Sequence, residues 1–198
     1  MKITREEAWK LLTEHMQSQN LRRHCLAVEA VMRGLARYFN EKGKPVSVEN
    51  YDEARWGLIG LFHDGDYEFT KEKPEEHAKL MAQWVRELGE TDEELLEGIE
   101  SHGWFHQGKE PKTKMQWSLF CCDELTGLIV ATALVRPEKK LSAVTVENVL
   151  KKWKEKSFAA GVKREDIERC EEKLVIPLKE FIQIALTAMQ KIAEDLGL

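Results

Sequence analysis

Helical periodicity is the strongest constraint on this chain. Apolar residues recur at three- and four-residue spacing in one segment after another, and no run of period-two alternation competes with them. Thr4 with Glu7 makes a capping box ahead of Ala8, Leu11 and Leu12. Asn20 is placed to cap a longer helix whose stripe holds Leu21, Val28, Val31, Met32, Leu35 and Phe39. Glu41 to Asn50, with Gly43 and Pro45, reads as a loop, and Asp52 opens a helix through Trp56, Leu58, Ile59, Leu61 and Phe62. Gly65 to Lys73 reads as a second loop, and Pro74 as the first turn of a helix that runs to about Gly89. Thr91 with Glu94 reads as another capping box, for a helix ending near Ser101 or His102. After a loop from Gly103 to Lys112, a helix from about Thr113 to Leu134 is stopped by Arg136-Pro137. Three more helices follow, at about Val146 to Lys156, Arg164 to Leu174 and Pro177 to Leu196. The expected architecture is an all-α, single-domain helical bundle over residues 1–198.

Composition narrows the function classes. A chain of 198 residues can bury a core without disulfide or zinc staples, and 42% hydrophobic with 33% charged residues fits a globular protein. The formal net charge of -5 leaves no overall basic footprint, so nucleic acid is not expected as a partner. A small anionic substrate needs only a local positive site and stays open. The N-terminal segment Met1 to Glu7 has no apolar signal core. The longest uncharged apolar run, Leu125 to Val135, is short of a membrane span, so no membrane partner is expected either. Cys25, Cys121, Cys122 and Cys170 contain no C-x-x-C pair and read as reduced thiols of a cytoplasmic protein.

The chemistry-bearing residues are His24, His63-Asp64, His77, His102 and Asp123. Taken singly, each has an ordinary reading. His24 lies on or beside the apolar stripe and could be a satisfied core histidine. His77, beside Glu75 and Glu76, looks like a surface residue, and His102 before Gly103 could be a helix C-terminal cap. Asp123 could be exposed or paired with an arginine. Placement argues for more. The apolar run Leu58-Ile59-Gly60-Leu61-Phe62 ends abruptly in an imidazole and a carboxylate, and Asp123 sits in the middle of an apolar helix. An isolated carboxylate in such surroundings is costly unless paired or bound to a metal. Gly127, one turn beyond Asp123, reads as removing bulk where something approaches closely. Four imidazoles and two carboxylates suffice for two transition-metal ions sharing a bridging carboxylate.

The order His24 … His63-Asp64 … His77 … His102 … Asp123 resembles the signature of the HD-domain superfamily of metal-dependent phosphohydrolases, in its dinuclear H…HD…H…H…D branch. The segments Arg23 to Glu29, Leu61 to Glu68, Pro74 to His77 and Asp123 to Gly127 carry the likeness. The run from Ala133 to Pro137 is similar to predicted bacterial HD hydrolases. The resemblance implies a metal-binding core of about residues 20–137 and a C-terminal helical extension of about 138–198. It implies two divalent or transition metal ions, iron or manganese above others. His24, His63, Asp64 and Asp123 would hold one, and Asp64 would bridge to a second held by His77 and His102. A bridging hydroxide would then cleave a small phosphate ester or nucleotide. Asp64 and Asp66 are the implied catalytic carboxylates, Asp66 orienting a ligand or moving a proton, or else simply forming a turn with Gly65.

The chain departs from that pattern in places. Gly65 stands where many relatives carry an apolar residue. The run His63 to Glu68 lacks the adjacent acids of the stringent-response hydrolases. The lysine expected after the pair in dinucleoside-polyphosphate hydrolases is missing, as is the extra signature of cyclic-dinucleotide phosphodiesterases. For the anionic substrate, Arg136, Lys71, Lys73 and His106 are the candidate binding residues; each could equally be a surface or loop residue. The last helix, with Phe181, Ile184, Ala185, Ala188 and Ile192, reads as core packing or a homodimer contact. Two other classes fit the same ligand set: a di-iron oxygenase and a non-catalytic, metal-stabilised nucleotide-binding domain.

Overall fold

A computed structural model describes residues 1–42, 50–108 and 110–198, without the side chains of Phe105 and Gln107. The reading of Glu41 to Asn50 as a loop falls mostly outside the described residues. The described residues form helices and turns and no strand, so the fold is all-α. The longer helices are α1 (Arg5–His15), α2 (Gln19–Lys42), α3 (Glu53–Phe62), and, after the single-turn α4 (Tyr67–Thr70), α5 (Lys79–Glu87) and α6 (Glu93–Glu100). Past the short α7 (Trp104–Gln107) come α8 (Lys114–Leu134), α9 (Val146–Trp153), α10 (Arg164–Arg169), α11 (Leu178–Gln190) and α12 (Ala193–Leu196).

Helix α2 is the axis of the bundle and packs against α3, α8 and α11. Its stripe of Val28, Val31, Met32 and Leu35 is fully buried, each residue contributing roughly 1.5–3 kcal/mol of transfer free energy. Helix α8 is buried on nearly every side, from Met115 to Ala133. By length and composition α8 could cross a membrane, contrary to the sequence reading, but 61% of its apolar window is already covered by the rest of the protein. An apolar helix wrapped in this way is a core helix.

The approach of α3 to α2 depends on Gly60. A Cβ there would stand 2.8 Å from the carbonyl oxygen of Val28 and 2.9 Å from the nitrogen of Glu29, both backbone atoms that cannot swing aside. Three residues later α3 ends at His63, whose ring is thereby delivered alongside His24, one turn before Val28 on α2. Gly65 has a comparable reason: a Cβ would collide with the thioether of Met81 and approach Leu12 Cδ1 to 3.2 Å. A larger side chain at this place would require Met81 and Leu12 to shift.

Several boundaries differ from the periodicity reading. The segment after Pro74 is not one helix. Pro74–Glu76 is a single 3-10 turn, His77 is extended at ψ 140°, and Ala78 adopts a left-handed φ of 65° before α5 starts. Asp92, not Thr91, caps α6, because Glu90 takes the N–H groups of both Thr91 and Asp92. Ser18 rather than Asn20 precedes α2, its hydroxyl accepting from the nitrogen of Leu21. The stretch expected as a loop after Gly103 contains α7, and the helix expected to reach Leu174 turns into a π-helical segment at Cys170. The last expected helix is broken between α11 and α12. Gly127 is not a close-approach position: the nearest atom to a Cβ there would be Val162 Cγ2 at 3.9 Å.

The two helical glycines therefore separate cleanly. Gly60→Ala is expected to destabilise the protein by about 1–3 kcal/mol through overpacking. Gly127→Ala is expected to be neutral or to stabilise by up to about 1 kcal/mol through helix propensity. Urea-unfolding midpoints of the two variants check the contrast.

Candidate metal centre

Six side chains from five places in the chain converge. His24 comes from the first turns of α2, and His63 and Asp64 from the end of α3. His77 lies in the break before α5, His102 in a 3-10 turn (Ser101–Gly103) after α6, and Asp123 in the middle of α8. The backbone break at His77 and Ala78 turns inward a ring that the sequence pattern would put on the surface, and His77 is buried.

Asp64 is the common element. Its Oδ1 lies 3.2 Å from His77 Nε2 and 3.1 Å from His102 Nε2. Its Oδ2 lies 3.6 Å from both His24 Nε2 and His63 Nε2. Asp123 Oδ1 completes the second group, 2.9 Å from His24 Nε2 and 3.5 Å from His63 Nε2. Two sets of possible ligand atoms stand out, His24 with His63 and Asp123, and His63 with Asp64 and His102. Adjacent ligand atoms each held ~2.1 Å from one ion are about 3.0–3.5 Å apart, and the spacings seen here lie in or near that range.

The hydrogen bonds on the far side of each ring decide which nitrogen faces inward. His63 Nδ1 is 2.7 Å from the carbonyl oxygen of Gly60, which can only accept, so the proton sits on Nδ1. His77 Nδ1 donates to Asp66 Oδ1 at 2.7 Å. Thr126 gives its hydroxyl proton to the carbonyl of Asp123 at 2.8 Å and accepts from His24 Nδ1 at 3.3 Å. Neutral imidazoles held in this way present Nε2 lone pairs to the centre. The Nε2 atoms of His24 and His63 are 3.1 Å apart, with carboxylate oxygens alongside. Acceptors that face acceptors repel unless a cation or a proton lies among them, so the donor set fits a metal ion.

Asp66 is fully buried and has no free oxygen. Oδ1 takes His77 Nδ1 and, at 3.4 Å, the hydroxyl of Thr70; Oδ2 takes the backbone N–H of Met81 at 2.9 Å. It orients His77 and is closed off from any substrate, so the geometry gives it a positioning role and not that of a catalytic acid. Thr126 does the corresponding work for His24. Sequence reasoning missed it; the signal was a hydroxyl three residues beyond Asp123 on the same helix. Burial, then the charges of Asp64 and Asp123, push the Cys25 thiol well up, and burial with Asp123 does the same for Cys122. All four cysteines are free and buried.

Of the expected substrate-binding residues, Lys71, Lys73 and His106 are exposed. Lys73 pairs with Glu76 at 3.4 Å, and His106 lies on α7. Arg136 donates to Asn148 Oδ1 at 3.0 Å and lies 3.6 Å from Glu138. It follows the end of α8, and the helix rises roughly 16 Å between Asp123 and Leu134. Arg136 thus braces the start of α9. Trp104 packs edge-on against Phe120.

Without a cation the cluster is held together by protons. Burial lowers the affinity of His24 for a proton, but the hydrogen bond and charge of Asp123 outweigh it and raise the pKa to about 9. His77 is likewise raised to about 9, by Asp64 and Asp66 against burial. Both values exceed the ordinary 6.5, so the stability these groups contribute is complete below pH 6.5 and is lost as pH rises through about 9. Burial works against ionisation of Asp64 and Asp123, yet the facing imidazoles hold both carboxyls well below the usual range, so their contribution disappears only in strong acid. The metal-free protein is expected to lose thermal stability between pH 6.5 and 9, and metal uptake to release protons and tighten with rising pH. Melting midpoints against pH, and titration calorimetry in two buffers of different ionisation enthalpy, check both; a flat profile across that window would contradict the assignment.

The sequence model of the HD domain matches residues 21–175 of this chain. The match starts at the beginning of α2, contains all six converging side chains, and continues past residue 137 through α10. A search of curated proteins and a search of solved structures each returned no match. With over half of its length covered by the family's own pattern and the His-Asp pair at the centre of the converging cluster, the chain belongs to the HD domain family.

Proposed function

We propose that the protein is a metal-dependent phosphohydrolase with a dinuclear centre, cleaving a small phosphate ester, nucleotides among the candidates. The observation that carries the reading is the division of labour at Asp64. One carboxylate oxygen faces His77 and His102 and the other faces His24 and His63, the disposition of a carboxylate shared between two ions. Iron and manganese suit a mixed imidazole and carboxylate set. When bound, two such ions supply charge against the negative oxygens of a phosphate ester and lower the pKa of a water to near neutrality.

The residues of the chain do the rest. His24, His63, His77 and His102 are locked or packed in position, so the donor atoms are organised before substrate arrives. His63 and Asp66 close the inner side completely, while Asp123 and His24 keep 21% and 25% of their side-chain surface open. A substrate thus reaches the centre from the His24 and Asp123 side. The four free, buried thiols support a reducing, cytoplasmic setting.

Protein reconstituted with manganese or ferrous ion, without oxygen, is expected to release phosphate from p-nitrophenyl phosphate and from members of a nucleotide panel. Asp64→Ala is expected to fall to background with its circular dichroism unchanged. Asp66→Asn is expected to weaken metal affinity by about 10–100-fold, since it leaves His77 unoriented. Full activity of Asp64→Ala would overturn the proposal. Oxygen uptake by the iron-loaded protein with no phosphate release would replace hydrolysis by the oxygenase reading of the same centre.

A further inference from the structure

Arg23 precedes His24 on α2 and differs from every other arginine of the chain. Arg5 and Arg33 clamp Glu29, Arg37 pairs with Glu53, and Arg55 with Asp92 and Glu94. Arg86 pairs with Glu100, Arg136 binds Asn148, and Arg169 faces Glu110. Arg22 and Arg164 bond to main-chain carbonyls. The Nε of Arg23 is buried with no hydrogen-bond partner, and no ion pair to its guanidinium is found among the described residues. A buried N–H with nothing to bind is costly, and although the Nε of Arg136 is buried without a hydrogen bond too, that guanidinium bonds Asn148 through its Nη1. Arg23 is also held in place: a Cβ on Gly197 would come within 2.7 Å of Arg23 Nη2, so the last turn of the chain lies directly against it.

The same arginine lines a cavity of about 350 Å³ that also touches His24 and Thr126. The cavity runs along α8 past Gly127 and Val130 to Leu134 and is bounded by the C-terminal residues 196–198. Among the described residues no acidic side chain lines it. The openness at Gly127, where no close approach was found, is the space of this groove. One end therefore carries a guanidinium beside His24, one of the six converging residues, and the remainder is mainly aliphatic. A fully polar ligand would leave that wall unused, and nucleic acid is disfavoured by the net charge of -5.

We propose that Arg23 and this groove form the substrate-holding part of the site: the guanidinium takes the anionic group of a phosphate monoester, and the Val130–Leu134 wall takes an apolar body attached to it. The choice of a phosphate as the anion rests on the hydrolytic reading above. Arg23 thereby supplies the positive partner that Arg136, Lys71 and Lys73 do not, and the wall favours an amphiphilic ester over a small polar one.

Metal-loaded protein is titrated by calorimetry with methylphosphonate and hexylphosphonate, neither of which can be hydrolysed to an alcohol and phosphate. Hexylphosphonate is expected to bind at least about tenfold more tightly than methylphosphonate. Arg23→Ala is expected to weaken both by about tenfold or more, and Arg23→Lys to recover part of the loss, because a point charge replaces a fork. Leu134 is 49% exposed, so Leu134→Asp should leave the fold intact; it is expected to erase the preference for the longer chain. Equal affinity of wild type and Arg23→Ala, or no chain-length preference in wild type, overturns the proposal, since another segment or a different ligand then occupies the groove. Binding is read without turnover, which keeps the two proposals apart. The expected binding pattern with no ester hydrolysis would sink the hydrolase reading and leave the groove assignment, whereas hydrolysis indifferent to both substitutions would do the reverse.

Discussion

The structure is organised around a repulsion. Lone pairs of imidazole Nε2 atoms and carboxylate oxygens point at one another across about 3 Å, with His24 and His63 only 3.1 Å apart. Their outer nitrogens are fixed by acceptors, so the rings of His24, His63 and His77 cannot relieve the conflict by exchanging donor for acceptor. A cation among them turns that conflict into binding. In its absence protons do so, which is why imidazoles in a largely buried site still titrate far above their ordinary range.

Holding such a set together is what much of the bundle does. Gly60 lets α3 lie against α2 closely enough to bring His63 beside His24, and its carbonyl also fixes the His63 ring. Gly65 admits Met81, whose backbone N–H anchors Asp66, which in turn orients His77. The backbone break at His77 and Ala78 has the same logic: a continuous helix from Pro74 would carry His77 outward with Glu75 and Glu76. Local irregularity at a functional position is here the means by which a ligand reaches the centre.

The helical class was legible in the periodicity, because an amphipathic pattern is a property of consecutive residues. Asp52 and the Thr4–Glu7 box were legible as helix starts for the same reason. The six converging residues were individually ambiguous, and their order along the chain mattered more than any local pattern. What could not be read was the set of tertiary choices. Thr126 looks like any helical threonine until His24 is placed against it, a hundred residues earlier in the chain. Arg23 looks like a solvated surface charge until the last turn covers it. Arg136 stood out because it follows the aspartate helix, yet proximity in sequence is a poor guide along a helix of this length.

The central claim is that the convergence of His24, His63, Asp64, His77, His102 and Asp123 is a cation site with Asp64 at its middle. Its most direct test is anomalous X-ray scattering from crystals of protein reconstituted with manganese or iron, with element analysis of the same sample. The account predicts two peaks, about 3.5–4 Å apart, one on each side of the Asp64 carboxylate. A single peak touching only one of its oxygens would reduce the centre to a mononuclear one. Crystals showing these six side chains in the same arrangement but no peak among them would contradict the account.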